Sequence, residues 1–157
     1  MFLGEDDERQ YLYPPEFHRG FFRLAVGLEG ALLVPVVKGI DTMGLEEIAD
    51  KYRQVVKKAR DSKLAPSDMG CGSITISNLG MFGVETFDPI INQPDAGILG
   101  VCAVQDELDM DDEGKIFKKQ VMRISFTFDH RLIDGAVAAK FELAIKELLE
   151  DPMRILL

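Results

Sequence analysis

The sequence has no tryptophan, and only two cysteines and two histidines among its 157 residues. Cys71 and Cys102 lie far apart and fit neither a CxxC pair nor a zinc-ligand spacing, which argues against a disulfide scaffold or a zinc module. Basic residues are also short: 18 Lys and Arg against 27 Asp and Glu leave a formal charge of −9. That excludes nucleic acid as an expected partner, because phosphate binding needs a basic surface. It leaves room for a small polyanion held by a local basic or backbone site. No apolar run is long enough to span a membrane, and the acidic start, MFLGEDDERQ, lacks a signal-peptide core. The expectation is a reduced, cytoplasmic globular protein that holds no metal.

What is present suffices for a core. Hydrophobic residues make up 46% of the chain, enough for one domain of ordinary size and too many for a disordered chain. Residues 1–20 show no helical or strand period and read as an irregular N-terminal segment. From residue 21 the pattern sharpens. Phe21 to Leu28 and Ala31 to Val37 are apolar and β-rich, parted by Glu29-Gly30, a hairpin pattern. Apolar residues then recur at Leu45, Ile48, Ala49, Tyr52, Val55, Val56 and Ala59, one face of a helix. Asp41 or Thr42 is placed to cap it, and Pro66 forbids its continuation. Ser73 to Ser77 reads as a short strand, followed by a long loop over 78–95. Ala96 to Val104 reads as a strand buried on both faces, Gln105 to Gly114 as an acidic turn, and Ile116 to Phe128 as an alternating strand. Ala136 to Glu150 reads as an amphipathic helix ended by Pro152. This order gives an α/β or α+β domain, a mixed sheet with helices on it.

Two stretches can carry chemistry. In FTFDHRLIDG, residues 126–135, a strand end delivers Asp129-His130-Arg131, and Asp134-Gly135 opens a helix. A strand-end histidine suits a general base. His130 as a plain loop residue, with Asp134 as a helix cap, fits the same spacing. In SITISNLGMFG, residues 73–83, a strand runs into a Ser-Asn-Leu-Gly turn. Ser77 offers a hydroxyl donor for an oxyanion, and an ordinary glycine-bearing turn fits equally. Lower in rank stand Asp109, Asp111 and Glu113, which imitate the start of a calcium loop but have Gln120 where a bidentate Glu is needed. Lys57, Lys58, Arg60 and Lys63 read as a solvated helix end ahead of a contact for the phosphates of a small polyanion, and His18 as a surface histidine; for Met81 and Phe82 a substrate contact and an apolar loop tip packed on a neighbouring subunit fit equally well.

Taken together, LLVPVVKGID, KARDSKLAPSDM, ITISNLGMFGV, FDPIINQPDAGILGV, FTFDHRLIDGAVAAKF and DPMRILL, in that order, resemble the C-terminal part of the catalytic domain of dihydrolipoamide acyltransferases. These are the core enzymes of 2-oxo acid dehydrogenase complexes, related in fold to chloramphenicol acetyltransferase. The resemblance covers about residues 20–157 and implies a coenzyme A-dependent acyltransferase fold over 21–157. It implies acyl transfer between a dihydrolipoyl thiol, carried on a partner's lipoyl domain, and coenzyme A. It makes His130 the base, Ser77 the oxyanion donor and Asp134 a supporting polar residue. Asn78, Cys102 and Val104 then line the coenzyme A side of the channel. In the family the site forms between subunits of a trimer, with the histidine facing a neighbour's serine turn.

The family's domain opens with a helix, a strand and a further helical region to which nothing in this sequence corresponds. The arginine that pairs with the acidic residue of the HxxxDG motif belongs to that opening. Two alternatives follow: a core or assembly module that kept the fold without the reaction, and a chloramphenicol-type acetyltransferase with another acceptor.

Overall fold

The computed structural model describes residues 20–155, apart from Glu29 and Cys71. The irregular segment expected over 1–20 therefore lies outside the described residues but for Gly20, as do His18 and Cys71. The elements run β1 (Phe22–Leu24), β2 (Val26–Leu28), β3 (Ala31–Leu33), β4 (Val36–Val37), α1 (Leu45–Arg60), β5 (Ile74–Asn78), β6 (Gly97–Met110), β7 (Ile116–Phe128) and α2 (Gly135–Glu150). The main sheet has the order β4-β1-β5-β6-β7, and β2 and β3 form a separate two-stranded ribbon. Strand β5 is parallel to both neighbours, β1 and β6, while β4 and β7 run antiparallel at the edges. The mixed α+β sheet expected from the sequence is what forms.

The hairpin expected over 21–37 forms in a single antiparallel register: Phe22 and Arg23 pair with Val37 and Val36, and Val26, Gly27 and Leu28 with Leu33, Leu32 and Ala31, with an interruption at Pro35. Pro35 has no amide to give to a ladder. Its carbonyl instead accepts from the Leu24 amide at 3.0 Å, while the Ala25 amide crosses to the Ile76 carbonyl at 2.9 Å. The ladder is thus interrupted at Ala25 and Pro35 and keeps its register on either side.

Helix α1 covers one face of the sheet. Val55 and Ala59 are buried against Leu24, Val26 and Val37, with Ile76 packed alongside. Leu45 and Tyr52, counted in the apolar stripe, are exposed. The cap also differs from expectation: Gly44 occupies the N-cap position without a side-chain bond. Thr42 closes its hydroxyl onto the Gly39 carbonyl, and Ile40–Thr42 form a separate 3-10 turn.

Residues paired directly across a sheet share a face. Ile76 pairs with Leu99 and Leu99 with Phe126, so Phe126 faces the same side as α1. The Phe141 ring of α2 packs on Phe126, centroids 4.9 Å apart. Both helices therefore lie on one face. The other face takes the long loop: the Ser125 hydroxyl donates to the Phe87 carbonyl at 2.7 Å, and the Ala103 amide to the Val84 carbonyl at 2.8 Å.

The acidic turn expected over Gln105–Gly114 is mostly strand. β6 runs on to Met110 and pairs with β7 residue by residue. Its carboxylates reach cations of β7 diagonally across the ribbon: Asp106 to Lys118 at 2.8 Å, Glu107 to Arg123 at 2.6 Å and Asp109 to Lys119. The burial on both faces expected for Ala96–Val104 ends before Val104, which is exposed. β5 stops at Asn78, opposite Val101, so the ribbon beyond projects without a third strand. Among the described residues no helix is long and apolar enough to cross a membrane.

Candidate active site

The Ser77 turn is built directly on the backbone of β6. Asn78 turns its side-chain oxygen back to accept the Gly80 amide at 2.9 Å. The Leu79 amide donates to the Val101 carbonyl at 3.1 Å, and Phe82 to Leu79 at 3.0 Å. Gly80 is required by distance: a Cβ there would sit 2.6 Å from the Cys102 carbonyl oxygen. Ser77 itself is half-buried, in a row with Gly100 and Ser125 across the sheet. Gly100 leaves space in that row for the Phe87 ring, which a Cβ would approach to 2.9 Å. Cys102 is buried, so its backbone, not its thiol, meets the turn; Asn78 and Val104 are exposed beside it. Met81 and Phe82 form an exposed apolar tip.

The histidine turn closes the other end of the sheet. After β7 the Asp129 amide donates to the Ala96 carbonyl at 2.9 Å, and the Asp129 carbonyl accepts from Leu132 and Ile133. The Asp129 carboxylate takes the Arg131 amide at 3.0 Å and the guanidinium through Nε at 2.9 Å and Nη2 at 2.6 Å. The hydrogen bond from Arg131 holds the Asp129 carboxyl below its ordinary value. Buried Ile133 anchors the turn beneath. His130, between these residues, is exposed, its ring 5.6 Å from that of Phe128. Asp134 occupies the N-cap position of α2, and its carbonyl accepts from Val137 and Ala138. Its carboxylate makes no capping bond and is exposed. The side-chain cap is thus not what this residue supplies.

Within one chain these two turns do not meet. Ser77 is level with Gly100 and Ser125, whereas Phe128 is level with Gly97 and Ile74. Three residues along and two strands across place the Ser77 and Phe128 Cα atoms about 14 Å apart on ideal sheet spacings. His130 lies two residues further on. Its ring stands beside Phe128, which shares the helix face with Phe126, while Ser77 faces the loop side with Gly100 and Ser125. A base and an oxyanion donor so placed can serve one reaction only if the partner residue comes from a second copy.

Around these turns, the lesser candidates have local partners. Asp111 spends its carboxylate on the Glu113 and Lys115 amides, at 3.1 and 2.8 Å, in a turn closed by Gly114 at φ 81°. Among the described residues no group of His, Cys, Asp or Glu could hold a metal ion. Lys58 is paired with Asp68 at 3.1 Å. One cluster escaped the sequence reading. Asp95, its side chain wholly buried, accepts from Arg23 Nη1 at 3.0 Å, from the Gly72 amide at 3.1 Å and from the Thr75 hydroxyl. The one sequence signal for it was a carboxylate set between Pro94 and an apolar strand.

The sequence pattern of the 2-oxoacid dehydrogenases acyltransferase (catalytic domain) family matches residues 5–157. The chain is 43% identical over 134 residues to the dihydrolipoyllysine-residue succinyltransferase component of the 2-oxoglutarate dehydrogenase complex of Rickettsia bellii, covering 85% of this chain and 33% of that protein. It is 42% identical to the acetyltransferase component of the Bacillus subtilis pyruvate dehydrogenase complex, covering 85% of this chain and 30% of that protein. The chain thus spans about a third of the length of these curated relatives. Among solved structures, the Azotobacter vinelandii dihydrolipoamide acetyltransferase superposes with a TM-score of 0.78 at 36% identity, over 87% of this chain and 56% of that one. The cubic core of a pyruvate dehydrogenase multienzyme complex superposes with a TM-score of 0.78 at 35% identity, with the same coverage. The Azotobacter work concerned a serine, a histidine and, four residues after that histidine, an asparagine in the catalytic mechanism. In this chain the order is Ser77, His130 and, four residues on, Asp134.

Proposed function

Since the chain belongs to the family of 2-oxoacid dehydrogenase acyltransferase catalytic domains, we propose that it moves an acyl group between a dihydrolipoyl thiol and coenzyme A. The reaction is thioester exchange. A thiol of pKa near about 8.5 must lose its proton to attack. His130 accepts that proton, and the new thiolate adds to the thioester carbonyl. The Ser77 hydroxyl donates to the oxyanion of the tetrahedral intermediate. The intermediate then collapses, and the departing thiolate takes the proton back from His130. Asp134 supports the site through polar contacts, with its carboxylate left available by the missing cap. Asn78 and Val104, exposed beside the Ser77 turn, and the backbone at Cys102 line the coenzyme A side. The lipoyl group arrives on a partner's lipoyl domain. A cytoplasmic location accompanies this reading.

The observation that carries the proposal is the placement of His130 and Ser77 at opposite ends of one sheet, each on a turn hydrogen-bonded to the backbone of β6 or of Ala96 just before it. It favours a trimer or larger oligomer in which one copy's histidine meets its neighbour's serine. The test is transfer from acetyl-CoA and succinyl-CoA to dihydrolipoamide by the purified chain, with its mass measured by light scattering. Turnover by an oligomer that disappears in His130→Gln is the expected result. Trimers with no turnover favour the assembly-module reading.

A further inference from the structure

We propose that Asp95, locked by Arg23 and Thr75, is a positioning residue for the His130 turn. The proposal rests on His130 being the base. A carboxylate with no exposed side-chain surface is expensive to bury, and an apolar residue fills such a place at less cost. Elsewhere the core facing α1 is apolar, formed by Leu24, Val26, Val37, Val55 and Ala59. The buried charges are gathered at the end of the sheet that carries His130.

The connection is short and runs through the backbone. Asp95 is held from β1 by Arg23, from β5 by Thr75 and by the Gly72 amide. Arg23 also donates to the Asn92 carbonyl at 3.4 Å. Turned with its oxygen toward the guanidinium, the Asn92 amide accepts from Nη2 at 2.9 Å. The next residue, Ala96, is fixed on both sides: its amide donates to the Ser73 carbonyl and its carbonyl accepts the Asp129 amide, each at 2.9 Å. Asp129 then clamps Arg131. His130 stands between these two anchored residues. The loop and the turn also line one cleft, through Ile91, Gln93, Pro94 and Asp95 on one side and Asp129, Arg131 and Leu132 on the other. A shift of Asp95 is therefore a shift of the strand end from which His130 projects.

The test uses the intact oligomer and compares Asp95→Asn, Arg23→Gln and Thr75→Val with Val55→Ala, a core substitution that lowers stability away from this network. Thr75→Ser restores the hydroxyl. The chain has two histidines, so His130→Gln assigns the His130 ring signals in NMR spectra. The network variants are expected to move or broaden those signals, and Val55→Ala and Thr75→Ser to leave them in place. In the transfer assay the network variants lower kcat about tenfold with KM for acyl-CoA changed less than about twofold. An unmoved His130 signal, or an unchanged kcat per folded enzyme, overturns the proposal. An inactive wild-type chain defeats the acyltransferase reading alone, since the ring signals still report the coupling. Should Asp95→Asn fail to fold, the Thr75→Val and Thr75→Ser pair decides the matter.

Discussion

Gly80 shows how much a single residue fixes. Its turn lies so close to β6 that the first carbon of any side chain meets the Cys102 peptide, at 2.6 Å from the oxygen. Neither backbone can give way without breaking the parallel pairing of β5 with β6. Gly80→Ala is expected to cost about 1–3 kcal/mol, the range for overpacking a close contact, and to shift Ser77 with it. The melting temperature and the transfer rate should therefore fall together. Asp129 gives a prediction in pH. Its carboxyl lies below the ordinary value of 3.8, first because Arg131 hydrogen-bonds it. A carboxyl lowered by folding contributes stability above its unfolded value and loses it as pH falls through the folded one. The contribution is modest, because the Arg131 side chain is 70% exposed. Melting temperatures taken from neutral into acid pH should show a shallower loss in Asp129→Asn than in the wild type. Residues like these differ in how legible they are. His130 and Ser77 stand on turns whose glycines and asparagine announce them within a few positions. Asp95 meets Arg23 across 72 residues of chain, and no local pattern encodes that pair.

At the scale of elements, period and composition pull apart in β6. Its second half reads as an acidic loop when charge alone is counted. Its alternation tells otherwise, and its partner strand carries the matching cations. Asp106, Glu107 and Asp109 each reach a Lys or Arg of β7, so the charges are the cross-strand pairs of a ribbon. Such pairs are more than a third exposed and are worth little singly. Asp106→Asn is expected to change unfolding free energy by less than about 1 kcal/mol, with the difference shrinking at high salt; chemical denaturation at two ionic strengths measures it. A larger loss would mean that the ribbon depends on its charges for its pairing. The helices were legible from their stripes because burial repeats with the helical turn. The 21–37 hairpin was legible too, from its two β-rich runs, and its arms keep one register; the interruption at Pro35, which has no amide to give, was not. Its consequence appears only when the distant partner, β5, is in place.

For the whole molecule, the sheet keeps its two candidate turns apart. Register alone separates Ser77 from the end of β7 by about 14 Å and puts them on opposite faces. A rotational assembly in which each copy offers His130 to one neighbour and Ser77 to the other resolves this, since head-to-tail interfaces close into rings. It also makes a prediction that no single-chain site shares. Ser77→Ala and His130→Gln should each be nearly inactive, the former by about 10²–10³-fold in kcat if the serine is the main oxyanion donor. Mixed as unfolded chains in equal amounts and refolded together, they form interfaces of four kinds. One kind joins an intact His130 from the serine variant to an intact Ser77 from the histidine variant. Random mixing makes these about a quarter of all interfaces, so activity should return to about a quarter of the wild-type level. The same variants refolded separately and then combined should stay inactive until their subunits exchange. Activity absent from the co-refolded mixture, with wild-type mass retained, would place both residues in one chain's site or remove one of them from the chemistry.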